Sequence, residues 1–161
     1  MYKILKSVII SIPIGITCAD VCGYIARVDG ESMKPTLNPN TNDSEYVFLN
    51  KFMAKDYNVN RGEIVSLISP KDPQQRLIKR VIGTQGDTIL TLGYKERYIK
   101  VPIGHFWIEG DYSKNSLDSN TFGPVPVGLL TAKATHIVWP PSRWRALKSE
   151  PIRHPLKLGN I

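Results

Sequence analysis

The 161 residues include 21 Lys and Arg against 14 Asp and Glu, a net charge of +7, with 42% hydrophobic and 22% charged positions. That balance excludes a disordered chain and fits one folded domain. The cations are scattered rather than interleaved with aromatics, which argues against a nucleic-acid partner and, beside an apolar N-terminal stretch, for an anionic lipid surface. The two cysteines, Cys18 and Cys22, both fall in that stretch, so no disulfide framework or cysteine zinc site is expected.

Residues 1–28 read as an N-terminal membrane anchor. Lys3 and Lys6 precede an apolar run from Ser7 to Ala26, closed by Arg27, which is about the twenty residues a bilayer requires. Asp20, Pro13 and Gly15 weaken the span. A cleavable targeting peptide is the rival reading, but no clean small-residue cleavage site follows a compact core. The basic residues at the start keep that end on the positive-inside face and place the remainder across the membrane.

Twelve Gly and twelve Pro punctuate the chain and favour short strands over long helices. Strands are predicted in Tyr46–Leu49, Glu63–Ile68, Arg76–Ile82, Thr88–Leu92, Arg97–Val101, His105–Glu109 and Ala134–Trp139. Each is rich in β-branched or aromatic residues and bounded by Gly, Pro, Asn or Asp. Pro140-Pro141 stops the last of them. Ser142 then suits the N-cap of a short amphipathic helix over 142–148. The expectation is a mainly β domain over 29–150 with a short C-terminal helix, and a loose tail over 151–161.

No cofactor or metal is expected. His105, His136 and His154 are too far apart to resemble a zinc motif, and Gly83-Thr-Gln-Gly86 lacks the Lys-Ser or Lys-Thr of a phosphate loop. No Gly-x-Ser-x-Gly elbow supports a Ser-His-Asp triad.

Two segments stand out. In Asp29-Gly-Glu-Ser32-Met-Lys-Pro-Thr-Leu37, Gly30 permits a tight approach and Pro35 stiffens the chain beyond Ser32, as an oxyanion site needs. Taken by itself, this stretch reads better as a linker. In Arg76-Leu-Ile-Lys79-Arg80-Val-Ile-Gly83, strand alternation puts Lys79 on one face with Leu77 and Val81, and Arg80 on the other. A desolvated lysine has a lowered pKa and can take a proton from a hydroxyl, which Arg cannot. A charged edge strand explains the same residues equally well.

Together these segments resemble the type I signal peptidases, Ser-Lys proteases that remove N-terminal targeting segments. Ser32-Met-Lys-Pro-Thr-Leu37 resembles the family's nucleophile box, and Lys79-Arg-Val-Ile-Gly-Thr-Gln-Gly-Asp87 its base box. Gly110-Asp111-Tyr-Ser-Lys-Asn115-Ser116-Leu-Asp118-Ser119 resembles a third box, and Arg61-Gly-Glu-Ile-Val65 lies between the first two in the expected place. The resemblance implies a signal-peptidase-like β-sheet or barrel domain, with Ser32 as nucleophile and Lys79 as general base. It further implies that Ser116 orients the Lys79 amine and that Asp118 pairs with Arg80. Many bacterial members carry a Ser donor where this chain has Gly30, so the oxyanion falls to backbone N–H groups, including that of Ser32. The third box ends in Asn120, where bacterial members often have Arg, leaving Asp118 one partner fewer.

Within the family, the short chain, the single anchor and the passages Arg61–Lys71 and Ala134–Pro141 resemble the mitochondrial inner-membrane branch. That resemblance implies a domain facing the intermembrane space and a heterodimer with a sister catalytic subunit. It also implies precursor proteins with bipartite presequences as substrates. A non-catalytic stabilising subunit and a bacterial-type signal peptidase are the alternatives.

Overall fold

The computed structural model describes residues 23–40 and 44–149. Their strands are β1 (Gly23–Val28), β2 (Glu45–Asn50), β3 (Ile64–Ile68), β4 (Arg76–Thr84), β5 (Thr88–Leu90), β6 (Tyr98–Lys100), β7 (His105–Glu109), β8 (Val125–Pro126), β9 (Leu130–Trp139) and β10 (Arg145–Ala146). An eight-stranded sheet runs β1-β2-β9-β3-β4-β7-β8, with β10 pairing β9, and β5 and β6 form a separate ribbon. Every pairing is antiparallel. Register shifts interrupt β2–β9, β3–β9 and β4–β7, and such irregularities bend strands and increase their twist.

The seven predicted strands all form, within two residues at most ends and four at the start of β9. In β3 the four residues Ile64–Leu67 are all buried. Ile64 packs with Val47, Leu49, Ala132, Ala134 and Ile137 in one cluster, whereas Val65 and Leu67 pack with Leu77, Val81, Phe106 and Ile108 in another. The middle of the sheet is thus covered on both faces, and β3 reads as a continuous apolar run. A third cluster of Ile89, Val101 and Trp107 sits under the ribbon.

Two expectations are corrected. Residues 23–28, assigned to the anchor, are strand β1, which pairs with β2 from Gly23↔Asn50 to Val28↔Glu45. Gly23 has a positive φ of 147°, and a Cβ there would overlap the Leu49 carbonyl, so only glycine lets the chain enter the sheet at this point. The helix expected over 142–148 is also absent. Pro141–Arg143 forms one 3₁₀ turn, after which β10 pairs with β9, because backbone bonds to an existing strand outweigh weak helix propensity over so few residues. Among the described residues one short α-helix, α1 (Ser119–Phe122), forms where the sequence predicts none, and Asp118 caps it by accepting from the Asn120 N–H.

Among the described residues no helix is long and apolar enough to cross a membrane. Residues 1–22 of the expected anchor and the tail over 151–161 lie outside the described residues.

The connection from β1 to β2 matters most for function, and Met33 and Leu37 plug it into the first cluster with almost no exposure. Leu37→Ala leaves a cavity beneath this loop and is expected to cost about 2–5 kcal/mol of stability, read by denaturant unfolding followed by circular dichroism.

Candidate active site

The β1–β2 loop is built by local bonds and by distant anchors. Lys34 N–H donates to Glu31 O (3.0 Å) and Leu37 N–H to Met33 O (2.9 Å), forming a tight turn around Ser32 and Met33. Tyr112 N–H, from the third sequence box, donates to the Ser32 carbonyl at 3.0 Å. Ser32 therefore sits on a backbone fixed from both ends.

Lys79 occupies the middle of β4, opposite Val65 of β3, and is 3% exposed. Its Nζ lies 2.6 Å from Ser32 Oγ. Burial pushes the amine down to about 8, against the opposing pull of the Asp118 and Asp111 carboxylates. No carboxylate lies within ion-pair distance of Nζ among the described residues, so desolvation wins and the neutral amine is accessible near physiological pH.

Arg80, the next residue, is equally buried and has a different environment. Its Nε donates to Asp111 Oδ1 (2.7 Å) and its Nη2 to Asp111 Oδ2 (2.6 Å), a two-pronged ion pair. Nη1 donates to the Gly62 carbonyl and Nη2 also to Thr36 Oγ1. Thr36 Oγ1 donates in turn to Asp111 Oδ2 at 2.5 Å. Consecutive strand residues point to opposite faces, yet both reach the same loop, Lys79 at Ser32 and Arg80 near its far end.

Asp118, expected to pair with Arg80, has backbone partners of its own. Asp111 takes the guanidinium fork, while Asp118 accepts from the backbone N–H groups of Gly110 and Asn120. The Asn120 amide also donates to Asp118 Oδ1 at 3.2 Å and to Glu109 Oε1 at 3.1 Å, so Asn120 still partners Asp118 at the position that resembles the bacterial Arg. The Ser116 hydroxyl, expected to orient the Lys79 amine, is buried without a hydrogen-bond partner among the described residues. It lies against Gly110, whose Cα also faces the Ser32 carbonyl. Gly30 has a positive φ of 90° with open space around it, and its carbonyl accepts from the Asn38 amide at 3.3 Å.

A cleft of about 450 Å³ opens beside the pair, walled by β1 from Tyr24 to Val28 and by β4 from Arg76 to Lys79, with Ser32 and Lys79 on its surface. Ala26, Val28, Leu49, Leu77 and Ile78 give it a largely apolar lining, suited to an extended peptide. Arg76 at its mouth donates to the Tyr24 hydroxyl. Among the described residues no group of three or more His, Cys, Asp and Glu side chains is placed to hold a metal ion.

A hydroxyl, a buried amine with a lowered pKa and a peptide-sized cleft form the setting of a Ser-Lys hydrolase, and comparison with known proteins agrees. The chain matches the signal peptidase family, peptidase S26, over residues 1–95 and 89–139. It belongs to that family of peptidases. The mitochondrial inner membrane protease subunit 2 of Danio rerio is 53% identical over 150 residues, 91% of this chain and 82% of that protein. Subunit 2 of Saccharomyces cerevisiae is 42% identical over 149 residues, 88% of this chain and 84% of that protein. Subunit 1 of Homo sapiens is 38% identical over 141 residues, 85% of this chain and 82% of that protein. A signal peptidase I from Enterococcus faecalis aligns at a TM-score of 0.41 and 22% identity, over 47% of this chain and 96% of that chain.

The signal peptidase boxes converge in space. Arg61 Nε donates to Asp87 Oδ2 at 2.7 Å, joining the Arg61–Val65 box to the end of the base box, and Asp111 of the third box joins Arg80 to the nucleophile loop. Thr36, Asp111 and Gly110 belong to the site without having been singled out. All three offered a signal, lying inside recognisable boxes, but only the folded chain reveals their contacts. Gly110 is required by space: a Cβ there would overlap Ser116 Oγ and the Ser32 carbonyl oxygen. Gly110→Ala is expected to shift Ser32 away from Lys79 and lower turnover about a hundredfold. Peptide-cleavage assays beside circular dichroism check that the fold survives.

Proposed function

We propose that this protein is a membrane-bound endopeptidase of the mitochondrial inner membrane that removes N-terminal sorting segments from precursor proteins. Ser32 is the nucleophile and Lys79 the general base. The observation that carries the reading is the 2.6 Å approach of Lys79 Nζ to Ser32 Oγ at a buried amine whose pKa is brought to about 8. The names of its relatives support the location and the processing role.

In this mechanism the neutral Lys79 amine takes the Ser32 proton as Oγ attacks the scissile carbonyl. The oxyanion that forms is stabilised by backbone N–H groups, that of Ser32 among them, because Gly30 offers no side chain. The Lys79 ammonium then protonates the leaving amine and the C–N bond breaks, leaving an acyl-Ser32 ester. Lys79, neutral again, takes a proton from the water whose oxygen attacks the ester, and returns it to Ser32 Oγ as the acyl C–O bond breaks, freeing the acid product and the resting pair. The unpartnered Ser116 hydroxyl beside Gly110 supports a role in orienting the amine once substrate fills the cleft. Asp118 and Arg80 act at a distance, by holding the third box and the nucleophile loop. The protein acts as a single-pass species with its domain in the intermembrane space, as a heterodimer with a sister catalytic subunit; relatives named as subunits 1 and 2 support that pairing.

The sign of the pH dependence follows from the base. Only the neutral amine accepts a proton, so kcat/KM is expected to climb about tenfold per unit of pH below a midpoint near 8 and to level off above it. Steady-state assays on a precursor peptide from pH 6 to 10 read this directly. Ser32→Ala is expected to abolish processing, and Lys79→Met to lower it by about 10²–10⁴-fold, scored by precursor N-termini in membranes from cells carrying each variant. Full processing by the Ser32→Ala protein would reduce it to a scaffold for its partner.

A further inference from the structure

The nucleophile loop has a second anchor, on the side away from Arg80, that none of the sequence boxes contains. Glu45, the first residue of β2, is 1% exposed. Its Oε2 accepts from the Asn38 N–H at 3.0 Å, and the Glu45 N–H donates back to Asn38 Oδ1 at 2.8 Å. Asn38 has a left-handed φ of 49°, and its amide donates to the Val28 carbonyl at 2.7 Å and to that of Gly30. The two ends of the loop are thus tied together through one asparagine and one buried carboxylate. A buried carboxylate needs a cation, and it comes from the far end of the chain. Arg143, on the turn after β9, meets Glu45 Oε1 through Nε and donates from Nη2 to the Thr36 carbonyl at 3.1 Å. Arg145 of β10 reaches the same carbonyl at 3.3 Å. The turn is itself held to the sheet, since Leu147 N–H donates to Thr135 O at 2.7 Å.

We propose that Arg143 is a positioning residue for catalysis, fixing the loop that carries Ser32 by joining Glu45 to the Thr36 carbonyl. Thr36 is then gripped on two sides: the Arg80–Asp111 pair holds its hydroxyl, and the Arg143–Glu45 pair holds its carbonyl. Lys79 stands on the rigid centre of the sheet, so the distance from Nζ to Oγ varies with the loop alone. An arginine suits this place because its rigid planar fork brings one nitrogen to the Glu45 carboxylate while another donates to the Thr36 carbonyl, a span that a lysine would have to cover with one flexible ammonium. This inference rests on the peptidase reading for its kinetic consequences, but its structural core can be tested without activity.

The test uses the full-length protein in its membrane complex, comparing Arg143→Gln, Arg143→Lys, Glu45→Gln and the Arg143→Gln/Glu45→Gln double variant. Hydrogen exchange at the Leu37 and Asn38 amides is the first readout. Arg143→Gln is expected to accelerate it while the central β3 and β4 amides stay protected; unchanged exchange at the loop overturns the proposal whether or not the protein cleaves anything. In the kinetic readout each single variant is expected to lose on the order of tenfold or more in kcat, with KM within about twofold and the rising pH limb still near 8. The double variant is expected to be no worse than the poorer single, as befits two residues acting as a unit. Arg143→Lys should recover only part of the loss. Wild-type kcat in Arg143→Gln, full recovery in Arg143→Lys, multiplying losses in the double variant, or losses that merely follow the unfolded fraction all overturn it. Cleavage by Ser32→Ala, in contrast, defeats the peptidase reading and leaves the exchange result standing.

Discussion

A lysine amine can be buried in two ways, and this protein uses both. Lys133 on β9 is 7% exposed, but it pairs with Glu63 at 3.0 Å and donates to the Asn58 carbonyl, so its charge is compensated. Lys79, two strands away, is buried just as deeply and faces a hydroxyl instead of a carboxylate. Desolvation then acts without local compensation, and the distant Asp111 and Asp118 only moderate it. The absence of a close carboxylate therefore matters as much as the presence of Ser32. A carboxylate placed against Nζ would keep the proton on the amine and leave the serine without a base.

Everything around that amine serves to bring one hydroxyl to it and hold it there. β4 supplies a rigid platform, buried on both faces and bonded to β3 and β7. The opposing loop has little regular structure of its own, so its position is imposed by others: Met33 and Leu37 in the core, Tyr112 on the Ser32 carbonyl, and two arginine–carboxylate pairs on Thr36 and Asn38. Removing one member of such a pair strands a buried charge, which is costly. Gly110 completes the arrangement by taking up no room.

Much of this was legible in the sequence, for reasons that differ between residues. The β runs were visible because β-branched and aromatic residues recur between turn formers, and burial follows that pattern. Lys79 had a physical case, an amine on a strand face shared with Leu77 and Val81; Ser32 had none beyond its resemblance to a box, since a rigid loop and a linker look alike without the packing beneath. That Asp111 takes the Arg80 fork was not legible, because Asp111 and Asp118 lie in one box and linear spacing does not tell which carboxylate the chain folds toward. β1 was hidden by continuity, its Gly23–Ala26 extending an apolar stretch that reads as one span. The turn after β9 was read as a helix because Ser142 is a good cap, whereas pairing with β9 decides its form. Glu45 and Arg143 belong to no motif, and 98 residues separate them in the chain, so only the fold discloses that they meet.

The central claim is that burial lets Lys79 lose its proton near physiological pH. Lysine labelled with ¹⁵N at Nζ, followed by NMR across a pH series in the full-length protein and assigned by the signal that vanishes in Lys79→Met, measures this without reference to any substrate. One Nζ resonance is predicted to titrate near pH 8. A Lys79 signal that titrates near 10.4, the ordinary value for a solvated lysine, would contradict it and leave Ser32 without a base.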